Sequence, residues 1–168
     1  MPTFTQIGSA VSVGVLGAAS IDFSSIPNTY TDLVVRICGR GARVAVHDYY
    51  QIKFNTSAAS FSGRYLFGAG SGSPISGTET NYAGTLPAAN ATASTFGSTD
   101  IYIPNYASSS NKSYSVDSVS ENNATAAEAV FYAGLWSNTA AINQITINAA
   151  NGNLAQYTTA YLYGVSNA

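Results

Sequence analysis

Apolar residues recur at every second position along most of this chain, and a period of two confines it to β-structure. Such sets are Val11/Val13/Val15, Leu33/Val35/Ile37, Tyr50/Ile52/Phe54, Ile101/Ile103, Tyr114/Val116, Phe131/Ala133/Leu135, Ile145/Ile147 and Tyr161/Tyr163/Val165. In a strand, side chains alternate between faces, so each set marks one buried face. Helical spacing is confined to Ala124–Ala129, which predicts at most a short helical turn. The expected core is Ile21, Phe23, Leu33, Val35, Ile37, Ile52, Phe54, Ile101, Ile103, Leu135, Ile145, Ile147 and Leu162. Clusters of Gly, Asn and Ser separate the runs, and Asn151-Gly152 suits a tight hairpin. Roughly eight strands at this spacing predict a single domain over residues 1–168, an antiparallel β-sandwich of jelly-roll type.

One segment breaks the pattern. Residues 68–99, GAGSGSPISGTETNYAGTLPAANATASTFGST, are rich in Gly, Ser, Ala and Thr and sustain no period. Such a composition predicts a long surface loop, mobile in the free protein and ordered against a neighbouring subunit.

Composition narrows the function. Charged residues are 8% of the chain, against a usual figure of about 25%. With six Lys and Arg in all and a net charge of −2, the chain lacks the clustered cations that phosphate contacts require, so no nucleic-acid partner is expected. Few charges also mean little repulsion between copies, which favours assembly. Cys38 has no second cysteine to pair with and reads as a small buried residue. Ile7–Ile21 lacks a preceding Lys or Arg and is interrupted by Gly and Ser, so it reads as strand and turn rather than a signal sequence. No apolar run reaches the about 18 residues of a membrane span.

No catalytic constellation is legible. His47 is the one imidazole, and on a strand Asp48 points to the opposite face, so the two cannot pair. Zinc needs several Cys or His. Calcium is left with Asp100, Asp117 and Glu121-Asn122-Asn123, without an EF-hand pattern. The remaining acids, Asp22, Asp32, Asp48, Glu79 and Glu128, stand singly, and no motif nominates a pair for glycoside hydrolysis. Neither an enzyme nor a cofactor is expected.

Two surface features remain. Arg36, Arg40 and Arg43 concentrate positive charge around a Gly-rich hairpin tip and are the expected subunit or capsid interface, since Arg pairs bidentately with carboxylates. The turn at Trp136 and Asn138 is the expected exposed site for a glycan, whereas the many tyrosines read chiefly as packing.

The run Phe23-x-Ser25-Ile26-Pro27-x-Thr29-Tyr30-Thr31-Asp32-Leu33 and the ending Leu162-Tyr163-Gly164-Val165 resemble small virion structural proteins of tailed bacteriophages. The resemblance implies a protein made in the host cytoplasm and carried on the virion. Within that class, a capsid decoration (cement) protein is expected, bridging capsomers on the outer shell, bound to the major capsid protein and trimeric by analogy. The alternative is a tail-fibre or receptor-binding module that grips host-surface glycans.

Overall fold

Thirteen strands and no helix occupy the described residues of the computed structural model, which are 1–70, 72–122 and 126–166. The first five are β1 (Thr3–Gln6), β2 (Val11–Ser12), β3 (Ser20–Phe23), β4 (Asp32–Gly39) and β5 (His47–Phe54). There follow β6 (Phe61–Gly68), β7 (Ile75–Thr78), β8 (Tyr82–Pro87) and β9 (Gly97–Ile103). The last four are β10 (Lys112–Ser120), β11 (Glu128–Trp136), β12 (Ile145–Ala149) and β13 (Thr159–Ser166). Of the expected helical turn, residues 124 and 125 lie outside the described residues, and Glu128 and Ala129 are strand.

All pairings are antiparallel. The large sheet runs β1-β13-β4-β9-β10-β11-β6-β7, with β2 also on β13, and the small sheet runs β3-β12-β5-β8. Taking β1, β3, β4, β5, β8, β9, β12 and β13 as strands one to eight, the sheets read 1-8-3-6 and 2-7-4-5, the jelly-roll order. Two hairpin insertions, β6–β7 and β10–β11, extend the first of those sheets beyond β9.

The resembling segments at the two ends meet in this fold. Leu33 lies opposite Gly164 and Asp32 opposite Val165, while the Thr31 N–H donates to the Val165 carbonyl at 2.8 Å. The Tyr30 ring lies over Gly164, where a Cβ would collide with it. Asp32 accepts from the Tyr102 hydroxyl and the Asn105 N–H, each at 2.9 Å, and Tyr106 donates to the Pro27 carbonyl. These contacts tie β4 and the segment before it to β13 on one side and to β9 and the turn after it on the other.

One buried cluster spans both sheets and contains every expected core residue except Leu135. In β11 the inward set is Val130, Tyr132 and Trp136, and Phe131 and Leu135 face out. The run is apolar in both phases, so alternation alone cannot choose the face. Cys38 is likewise exposed, on the outward phase of β4, and Val15 sits exposed in a turn. Asn151-Gly152 turns the chain but joins no hairpin, because β12 and β13 belong to different sheets.

The expected long loop is broken up by strands. It contains β7, all of β8 and the start of β9, and every residue of β8 is buried. Tyr82-Ala83-Gly84-Thr85-Leu86-Pro87 is covered on both sides, so it shows no alternation, and its small residues permit the close approach. A Cβ at Gly84, whose φ is +115°, would stand 2.6 Å from the Ser118 hydroxyl. Composition resembling a linker here encodes a strand buried between layers.

Tyrosine over glycine is the recurring packing unit. Tyr50 lies over Gly39, Tyr65 over Gly77, Tyr132 over Gly63 and Tyr114 over Gly134, each ring occupying the space a Cβ would need. Burial raises the Tyr50, Tyr82, Tyr114 and Tyr132 phenols above their ordinary value, and raises Tyr49, Tyr102 and Tyr106 too. A raised phenol favours the protonated folded state. Its stabilisation is complete below the unfolded value of about 10 and is lost as pH rises beyond it. Alkaline titration should therefore show the tyrosinate absorbance of the buried Tyr50, Tyr82, Tyr114 and Tyr132 appearing only together with loss of β-sheet circular dichroism, above about pH 10; ionisation of these four in a protein that keeps its β-sheet signal would contradict this.

Candidate functional site

The three arginines do not share a surface. β4 and β5 lie in different sheets, so Gly39-Arg40-Gly41 begins a crossover rather than a hairpin tip. Arg40 donates to the carbonyls of Thr92 and Thr95, both at 2.9 Å, and of Ala91 at 3.0 Å, clamping the turn between β8 and β9. Burial lowers its pKa. Arg43 stands 3.8 Å from the buried Asp48 carboxylate, which also accepts from the Asn151 side chain at 2.9 Å. Arg40→Ala should thus lower stability by about 1–3 kcal/mol, read by chemical denaturation, because charge-assisted bonds to backbone carbonyls are lost. An unchanged midpoint would return Arg40 to the free surface charges.

Arg36 alone is presented outward. It pairs with Asp100 at 3.3 Å and lies 5.9 Å from the Tyr163 ring centre. Asp100 is directly opposite Asp117 on β10. Among the described residues no three potential metal ligands come together.

The expected glycan turn is altered by burial. Trp136 is the last residue of β11 and is 1% exposed, its ring 5.5 Å from Phe54 and 6.2 Å from Phe61. Asn138 is exposed, and its side-chain oxygen accepts from the Ala140 N–H at 2.8 Å. What remains outside is a polar turn without an aromatic face.

His47 has a partner that spacing could not reveal. Its Nε2 lies 3.0 Å from Glu128 Oε1, while Glu128 Oε2 accepts from the Thr85 hydroxyl at 2.6 Å. The carboxylate stands between hydroxyl and imidazole, and Thr85 is fully buried; nucleophilic catalysis needs the imidazole in the middle and the hydroxyl accessible. Beside this trio lies a groove of about 340 Å³ between β5 and β8 on one side and β6, β7 and β11 on the other, bordered by Tyr49, Tyr65, Phe67, Tyr82, Glu79 and Glu128. Its residues come from five strands, the turn before β8 and the turn after β12, so no local motif could mark it.

A further surface is the outer face of the large sheet. Across the strands one row reads Tyr161, Arg36, Asp100, Asp117, Phe131, Leu66. Phe131 is 60% exposed and its cross-strand partner Leu66 51%, with Phe4, Tyr102, Val119 and Leu135 also exposed on this sheet. A signal for it stands in the sequence: β11, EAVFYAGLW, is apolar on both phases, as in strands covered on both faces, yet its own chain covers one.

No family model, curated protein or solved structure matches this chain.

Proposed function

We propose that the protein is a non-enzymatic virion structural protein of a tailed bacteriophage, a capsid decoration protein that bridges capsomers through the outer face of its large sheet. The observation that carries this reading is β11, whose exposed phase presents Phe131 and Leu135 beside Leu66. A face that sets Phe131 and Leu66 beside Asp117, Asp100 and Arg36 offers an apolar anchor flanked by charge, the make-up of a protein interface. The resemblance at the two chain ends supplies the virion context and, by analogy, a trimer. The receptor-binding alternative would grip a glycan through tyrosines and Trp136, and burial takes Trp136 from that set. Contact through Arg36 survives in this reading, since it lies on the same face; Arg40 is committed internally.

The test is binding to capsids stripped of the protein. Phe131→Thr with Leu66→Thr should reduce occupancy at least about thirtyfold, the equivalent of losing roughly 2 kcal/mol at an interface anchor. Both side chains are more than half exposed and threonine suits a strand, so thermal stability should hold. Undiminished occupancy of the double variant would refute docking through this face.

A further inference from the structure

We propose that the groove between the two sheets binds a quaternary ammonium group of the choline type. It is distinct from the outer face used in the capsid reading, and neither depends on the other.

Three tyrosines on three strands line this groove, Tyr49 on β5, Tyr65 on β6 and Tyr82 on β8, joined by Phe67. Tyr49 and Tyr82 have ring centres 5.8 Å apart and planes tilted by 48°, so they form a corner rather than the flat platform on which a sugar face stacks. Tyr65 is positioned by Gly77, because a Cβ there would come within 2.5 Å of its hydroxyl. The volume of about 340 Å³ falls at the lower end of the range for small-ligand sites, about 300–1,000 Å³.

Charge selects the ligand. Glu79 and Glu128 border the groove and no Lys or Arg does. Glu128 is preset by Thr85 at 2.6 Å and His47 at 3.0 Å. Glu79 is exposed, and one of its oxygens accepts from the Thr80 N–H at 3.0 Å. Anions are repelled here, and a neutral apolar group gains nothing from the carboxylates. A methylated ammonium satisfies both features: its positive shell faces the ring π-systems, and it needs no hydrogen bond in a corner of this kind.

Calorimetric and NMR titration of the purified protein tests the proposal with choline, with its neutral isostere carrying a tert-butyl group in place of trimethylammonium, and with glucose. Choline should bind at least about tenfold more tightly than the isostere and perturb the ring signals of Tyr49, Tyr65 and Tyr82, with glucose inert. Glu79→Gln, at an exposed position, should weaken choline several-fold and leave the isostere unaffected; Tyr65→Ala should abolish binding. A phosphocholine arm distinguishes the carrier: affinity kept with the phosphate identifies a phosphodiester-linked head group, and affinity lost identifies an ammonium without a nearby anion. Equal binding of choline and isostere, preference for glucose, or no choline binding by the folded protein would overturn the proposal.

Discussion

Trp136→Ala is expected to destabilise the fold by about 3–5 kcal/mol, the range for deleting a large buried aromatic. The indole closes one end of the core. Phe54 meets it edge-on at 72°, Phe61 stacks on it at 26°, and Tyr114 meets both phenylalanines edge-on. Removing the ring leaves a cavity framed by rings that each need the others for their position. Trp136→Phe separates ring packing from the indole N–H, which has no hydrogen-bond partner among the described residues. That swap should cost clearly less than the alanine change, since one aromatic ring and a smaller cavity remain. Urea denaturation of the two variants measures both, and an alanine variant within about 0.5 kcal/mol of the parent, the scale of an ordinary surface change, would place Trp136 outside the core.

Gly134→Ala is the second large effect, from overpacking rather than from a cavity. Gly134 pairs with Tyr114 on one side and Gly63 on the other. An added methyl would enter the Tyr114 ring and stand 2.7 Å from the Tyr132 ring. Both rings belong to a packed aromatic row, with Tyr82 and Tyr132 centred 5.3 Å apart and Tyr114 and Tyr132 5.6 Å apart. Neither can yield alone, so the cost should reach or exceed about 1–3 kcal/mol. Gly14→Ala supplies the contrast, since nothing lies within 4 Å of its added Cβ, and should change stability by no more than about 0.5 kcal/mol. Equal effects at the two glycines would contradict the tyrosine-over-glycine packing.

The same physics explains which parts of the fold can be read from sequence. β4, β5 and β12 each bury one apolar phase, and Leu33, Ile52 and Ile147 are where alternation puts them. β8 escapes notice because burial on both faces selects Ala, Gly and Thr at close approach, the composition of a linker. β11 reveals its strand but hides its face, because both phases are apolar for different reasons: one packs inside, the other is presented outward. Cys38 has apolar sequence neighbours that suggest an internal position, but it occupies the outward phase of β4 with Arg36. The arginine cluster fails for a topological reason, as the chain crosses between sheets at Gly39–Gly41 and sends each guanidinium elsewhere. The groove is beyond sequence reasoning altogether: His47 and Glu128, or Tyr49 and Tyr65, meet only because the β6–β7 and β10–β11 insertions extend the large sheet beside β8.

A density map of the intact particle that carries the protein reads position, copy number and buried face together. Many copies are expected on the outer shell, each with Phe131, Leu66 and Arg36 covered by the capsid protein at a junction between capsomers. A few copies at the tail, or copies on the shell whose large-sheet outer face points to solvent, would contradict this.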